Sequence, residues 1–378
     1  MHHVREAGDT PARVGGRRLP RPRRRQSRCR LVVAVAWLLF TSVPASAAEV
    51  AWLYDVTVPV EDQSSSARLD AGSRALAQIL TRLTGLTSVP RNEAVSRALA
   101  APDLYYNQFR FERAPPEPGE VGETGLQLRL QFVPQAVLDL IRDAGLPIWR
   151  ANRPTVMVWI AVDDGLVRRI LAADSDHPLI VAIGERARER GLPMRLPLLD
   201  LTDQLTVEPA AVWGQLSQIL QPASERYGAD TVLVGRLQKL PDERWRVEWE
   251  FWLDGEVHHL DREARDPAAL GRAAADLVAD ELAARYAVLD RSVRRLDLAV
   301  NDVSRAEDYA NLLRYLGGLE YVEEVMVSAV SGDRLEVSLI TAAGPDQLLE
   351  LFQLDRRLLP DRSTVTPGGA IELVWQGR

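Results

Sequence analysis

The chain has 378 residues, 46% of them apolar, with 46 basic and 53 acidic side chains and a single cysteine, Cys29. Length and apolar content suffice for two or three packed domains, and one cysteine rules out an internal disulfide, so stability has to come from burial. The charge is unevenly placed: ten arginines lie within Met1 to Arg30, beside only Glu6 and Asp9.

That head runs straight into Leu31 to Phe40 (LVVAVAWLLF), Pro44 and the small residues Ala45-Ser46-Ala47-Ala48. A basic region, a short apolar run and an A-x-A-like stop are the three parts of a secretory signal peptide, here residues 1–47, with cleavage after Ala47 or Ala48. The apolar run is half the length of about 20 residues that a spanning helix needs, and Pro44 and Glu49 block its extension. An uncleaved anchor is the alternative reading. After cleavage no integral membrane span is expected. What remains has 36 basic and 51 acidic residues, a net charge near −15, no cysteine and one lysine, Lys239. Such a surface repels phosphate backbones, so nucleic acid is not an expected partner. The near-absence of lysine is read as GC-rich codon usage.

The first block, 48–165, reads as a mixed α/β module. Val50 to Val60 (VAWLYDVTVPV) has strand composition, and Asp62 to Ser66 offers N-caps for a helix whose Leu69, Leu76, Ile79, Leu80 and Leu83 recur at helical spacing before Gly85. A short helix from Asn92 to Ala100, a strand from Leu104 to Glu112, a Pro- and Gly-rich connector from Ala114 to Glu123 and a strand from Leu126 to Phe132 follow. Pro134 opens the next helix, and Thr155 to Val162 is apolar throughout, as a strand covered on both faces would be.

The second block, 166–290, reads as a central α/β sandwich module. Helices are expected over Leu179–Arg190, Pro209–Tyr227 and Pro267–Tyr286, and strands near Met194–Leu199, Thr231–Leu237, Trp245–Leu253 and Glu256–Leu260. Asp254-Gly255 is a hairpin signal between the last two. The third block, 291–378, shows the order β-α-β-β-α-β from Arg294 to Trp375. That order predicts a ferredoxin-like four-stranded antiparallel sheet with its own core.

Catalytic and cofactor signals are sparse. His177, His258 and His259 survive cleavage, and the adjacent pair in a strand points to opposite faces, so no metal site and no cofactor is expected. No phosphate-cradling loop and no nucleophile elbow occurs. Asp163, Asp164, Asp174 and Asp176 form the one carboxylate group that an acidic-residue hydrolase would draw on, with strand-ending turns as the plain alternative. In Trp245 to Leu253 alternation puts Trp252 on the polar face, where an exposed aromatic marks a possible surface contact for a partner or a sugar ring.

VTVPVEDQS, LTRLTG (Leu80 to Gly85), FVPQAVLDLIRDAGLPIWRANRPTVMVWIAV (Phe132 to Val162) and DYANLLRYLGGL (Asp308 to Leu319) together resemble the bacterial family known as domain of unknown function 2066. The resemblance implies an exported protein of Gram-negative bacteria with no assigned activity, and it brings no catalytic residues. The alternation from Leu179 to Val288 is loosely similar to the amino-terminal module of the Tol translocation protein, a likeness of architecture alone. The expected function is therefore that of a non-enzymatic, periplasmic interaction or accessory module with an envelope protein as partner. A glycan- or peptide-binding module and the hydrolase are the alternatives, and the sequence leaves the oligomeric state open.

Overall fold

The computed structural model describes residues 51–114, 125–149, 151–289, 293–361 and 370–377. The leader at 1–47 and the connector from Pro115 to Glu123 lie outside the described residues. Helix ends follow capping chemistry. Ser64 accepts the Ala67 N–H at 3.1 Å and opens α1 (Ser65–Thr84), which stops where Gly85 takes φ 71°. Asn92 caps α2 (Glu93–Ala100) in the same way.

Three strands, β1 (Asp55–Val60), β2 (Tyr106–Arg113) and β3 (Leu126–Phe132), pair antiparallel in the order β1-β3-β2. A 3-10 turn at Ala51–Tyr54 replaces the first half of the expected opening strand. Val56, Val58, Leu128 and Leu130 turn inward against Leu76, Ile79, Leu80 and Leu83 of α1, and α3 (Pro134–Asp143) closes this core. The chain then forms β4 (Pro147–Ile148), too short for a periodicity argument to detect.

The second sheet runs β10-β9-β8-β5-β6, with β7 (Met194–Arg195) paired to the start of β5. Its strands are β5 (Val156–Asp163), β6 (Arg168–Ile170), β8 (Thr231–Lys239), β9 (Trp245–Leu253) and β10 (Glu256–Ala264). β5 and β8 are parallel and the rest of the path is antiparallel. Because β5 lies inside this sheet, the sheet straddles the boundary expected at 165. Asp254 and Gly255 take φ 49° and 86°, as a tight hairpin requires. Helices α4 (Pro178–Arg190) and α8 (Pro267–Tyr286) cover one face. The other is covered by residues from the segment that holds α5 (Leu201–Thr206), α6 (Pro209–Trp213) and α7 (Ser217–Glu225). The single helix expected over 209–227 is thus broken at Gly214-Gln215, where Gln215 takes φ 50°. With helices on both sides Val156 to Val162 is fully buried. On β8 only a glycine fits at 235, since a Cβ there would sit 2.3 Å from the Trp249 ring.

The third sheet departs from the expected plan. Its order is β13-β14-β12-β16-β15, from β12 (Arg294–Asn301), β13 (Val322–Ser331), β14 (Arg334–Thr341), β15 (Leu358–Pro360) and β16 (Ile371–Trp375), with α9 (Ala306–Gly317) and α10 (Pro345–Asp355). β16 runs parallel to β12, where a four-stranded ferredoxin-like sheet has an antiparallel neighbour. The reason is a strand of three residues, β15, that follows α10 and pairs outside β16. Nor is the core separate: Leu298, Val337 and Leu373 belong to the same continuous cluster as Val158 and Trp249. Together the described residues are mixed α/β with several sheets, and they fall in one compact unit. A two-residue ladder between β4 and β11 (Val288–Leu289) stitches the first region to the end of α8.

Three buried arginines join the first region to the second. The C-terminal ends of α1 and α4 converge, which brings unpaired carbonyls and two negative helix poles into one dry place. Arg153 donates to the carbonyls of Gly191 (2.8 Å), Arg190 (3.2 Å), Arg82 (2.6 Å) and Trp149 (3.2 Å), with its guanidinium 3.8 Å above the Trp149 ring. Arg82 reaches the Arg188 and Asp55 carbonyls, both at 2.8 Å. Arg190 reaches Gly85 O at 2.9 Å and the carboxylates of Asp276 and Asp280 at 2.5 and 2.6 Å. Burial pulls Arg153 down to about 9 and Arg82 to about 10, so both stay charged at neutral pH. Replacing Arg153 by Met strands four carbonyls, and the expected loss is about 3 to 5 kcal/mol, read as a lower urea midpoint by circular dichroism.

Candidate functional site

A polar trough lies where β5 and β8 begin. Its larger hollow, about 690 Å³, is walled by Asp230 and Thr231 at the start of β8, Asp254 in the β9–β10 turn, Arg285 at the end of α8 and Glu350 on α10. A smaller one of about 490 Å³ shares Glu225, Asp230, Thr231 and Asp254 and is bounded by Glu250 and Glu256 as well. Arg285 is shared between Asp254 at 2.9 Å and Glu350 at 3.3 Å. Arg356 meets Asp230 at 3.1 Å, and Asp230 also accepts the Thr155 N–H at 2.9 Å. Burial first, and then the Asp254 charge, pushes the Tyr286 hydroxyl well above its ordinary range.

A second feature is the segment leading into and through α5. Asp203 is fully buried, which an aspartate tolerates only when its oxygens are satisfied. Here they accept from Leu199 N (3.0 Å), Tyr227 Oη (2.5 Å) and Arg226 Nη1 (2.6 Å). Arg226 also grips Asp200, the cap of α5, through two bonds of 2.9 and 2.7 Å, which holds the Asp200 carboxyl far below its usual range. Tyr227 in turn accepts the Leu198 N–H at 3.0 Å. This polar knot fixes a segment whose apolar side chains face out: Leu198, Leu201 and Leu205 are 65, 71 and 76% exposed. Three leucines are thus displayed from a rigid support. Of the stretch Leu196 to Leu205 (LPLLDLTDQL) the sequence reading covered only a strand near Met194–Leu199, and the outward orientation of its leucines depends on Arg226 and Tyr227, distant in sequence.

The residues singled out from the sequence fare differently. Trp252 does lie on the face opposite Trp249, but that face is covered by α7 and its neighbours, so Trp252 is only 7% exposed and is not a surface aromatic. Its indole N–H donates to Glu250 at 3.0 Å, and its edge lines the smaller hollow. Asp163 and Asp164 sit in the β5–β6 turn. Asp163 holds Arg168 at 3.1 Å and the Gly165 N–H, and Asp164 caps the Leu166 and Val167 amides. Asp174 and Asp176 are exposed on the separate loop before α4. His258 faces Glu281 at 3.1 Å while His259 points to solvent, and His177 caps α4 by accepting the Leu179 N–H. Among the described residues no group of three or more His, Cys, Asp or Glu is placed to hold a metal ion.

The class so defined is a mixed α/β protein of several sheets, whose described helices are none of them long and apolar enough to cross a membrane. Residues 47–150 match the model of a domain of unknown function, DUF8605, a stretch that comprises the three-stranded sheet, α1 to α3 and β4. No curated protein matches the chain.

Two outcomes are expected here. Asp203→Asn puts an amide N–H against donors and strips Arg226 of a partner, costing about 2 to 4 kcal/mol and speeding proteolytic cleavage between Leu198 and Leu205. The second concerns His177, whose pKa is lowered from 6.5 first by burial and then by the Arg169 charge. The unfolded chain therefore binds that proton more readily, so the contribution of His177 to stability is complete above pH 6.5 and declines as the pH falls toward the folded value. His177→Asn keeps a capping acceptor and flattens the melting temperature between pH 7 and 5.

Proposed function

We propose that this chain is an exported, non-enzymatic protein of the Gram-negative periplasm that docks onto another envelope protein through Leu198, Leu201 and Leu205. The observation that carries this reading is the pairing of exposed leucines with a buried Asp203 knot that leaves them little freedom to lose on binding. Support for export comes from the arginine-rich head, the short apolar run and the small-residue stop, with a leader cut after Ala47 or Ala48. The likeness of VTVPVEDQS and GLPIW to domain of unknown function 2066, a set of exported proteins, supports the same compartment. In this reading the chain has three modules, with the first ending near Arg153, so that β5 belongs to the central sandwich, and the last beginning near Arg294. The partner contributes an apolar groove, because acidic neighbours such as Asp200 and Glu208 disfavour an anionic lipid surface.

Two of the earlier alternatives lose their footing. A glycan platform needs an open ring, and Trp252 is covered; a hydrolase needs converging carboxylates, and Asp163-Asp164 and Asp174-Asp176 serve separate turns. A photo-crosslinker installed at Leu201 in living cells is expected to give one reproducible envelope adduct. Leu198→Ser, Leu201→Ser and Leu205→Ser combined should leave the melting temperature within about 2 °C and reduce co-purification of that partner about tenfold or more. Unchanged recovery with the triple variant sinks the docking surface, and mature-length protein found only in the cytoplasm sinks the compartment.

A further inference from the structure

His177 holds the start of α4 in a way that only one protonation state allows. Pro178 takes the first position of the helix and has no N–H, so the first amide to satisfy is that of Leu179, which is fully buried and out of reach of water. His177 Nδ1 accepts it at 3.2 Å, and among the described residues that N–H meets no other acceptor. A ring nitrogen accepts only while it carries no proton, so the cap requires the neutral imidazole with its hydrogen on Nε2. Protonation makes Nδ1 a donor facing a donor and sets a positive charge on the positive pole of a 13-residue helix. The charged groups that face the ring are Arg169 on β6, which opposes the cation, and Asp176 in its own loop, which favours it. From β9 the ring meets the uncharged Trp245, edge to face, with centroids 5.7 Å apart.

The same cap closes a loop held by a few bonds. Between β6 and α4, Leu171 donates to the Ile160 carbonyl at 2.9 Å, Ser175 donates to the Ala172 carbonyl at 3.2 Å, and the Ser175 hydroxyl accepts the His177 N–H at 3.2 Å. Ala173 donates across to the Pro197 carbonyl at 2.9 Å, next to Leu198. Ala173, Asp174 and Asp176 are exposed, so little packing backs these bonds.

We propose that His177 is an acid-sensitive latch: when its ring takes up a proton the cap on α4 opens, residues 171–177 loosen, and the tie from Ala173 to Pro197 at the head of the leucine segment is released. The protonated ring is drawn to Asp176 and away from Arg169. The latch itself stands on the fold; that the released segment is a docking surface rests on the function proposed above.

Hydrogen exchange on the purified protein, corrected for the intrinsic pH dependence of exchange, reads the latch directly. From about pH 7.5 to about pH 5 the protection of the Ala173 and Leu179 amides should fall about five- to tenfold, the size of a lost cap, while Val158 and Val234 in the central sheet keep theirs. His177→Asn supplies a capping oxygen that does not titrate, so its protection should stay at the neutral level at both pH values. His177→Ala should show the open level at both. Unchanged protection of the wild type, or an equal fall in His177→Asn, overturns the latch, and protection lost at Leu179 but kept at Ala173 overturns the tie to the leucine segment. The leucine triple variant should follow the wild type, so failure of the docking surface leaves this result readable.

Discussion

Two helix C-termini meeting in a water-free place is the constraint around which the chain is organised. The carbonyls at the ends of α1 and α4 cannot pair within their own helices, and the two negative poles repel. Only a donor-rich cation answers both needs, and the structure supplies three, from Arg82, Arg153 and Arg190. Their sequence separation makes the joint global: Arg153 needs the ends of α1 and α4, Arg82 needs β1 and α4, and Arg190 needs the end of α1 and the acidic side chains of α8. The GLPIW and RP pairs now have a physical meaning. Trp149 supplies the ring under Arg153, and the stretch through β4 sets Arg153 at the crossing. Gly191 completes it, because a Cβ at that residue, already at φ 74°, would lie 2.3 Å from Arg153 Nη1.

Near the same end of the central sheet, where β5 and β8 begin, further helix C-termini arrive at a polar trough. In open α/β sheets the usual ligand crevice lies at the carboxyl ends of parallel strands, where helix N-termini favour anions. Here the large hollow lies at the starts of β5 and β8, where helices α7, α8 and α10 arrive with their C-termini. Arg285 and Arg356 answer part of that negative field, as Arg153 does at the buried crossing, but carboxylates outnumber them. Near α5 the roles of buried charge reverse, with an aspartate, Asp203, gathering donors to hold a surface segment still.

Local chemistry made much of the fold legible. Ser64, Gly85 and Asp254-Gly255 each act where their own φ/ψ and hydrogen-bonding preferences place them. Alternation from Trp245 to Leu253 separated the two faces of β9 correctly, yet gave Trp252 the wrong surroundings. Period two reports which side a residue takes and is silent on whether that side is covered, and the cover here comes from α7, some thirty residues upstream. The strands that escaped, β4, β6, β11 and β15, are two or three residues long, below the length at which any period is defined. The third sheet was misjudged for that reason alone, since β15 displaces the neighbour of β12 by one position. The clamps were out of reach for another reason: Arg82 with Arg188, or Asp203 with Tyr227, are tertiary pairings that no local pattern encodes.

The scarcity of lysine also reads differently once the clamps are seen. On open surfaces either cation serves equally well, and codon usage alone would suffice to explain arginine there. It does not account for Arg153, whose planar fork reaches four carbonyls at once, or for Arg226 and Arg334, which engage Asp200 and Glu372 through paired bonds. An ammonium is a single strongly hydrated point with three donors and cannot span such partners without moving the backbone. At these sites the folded chain depends on the shape of arginine as well as on its charge.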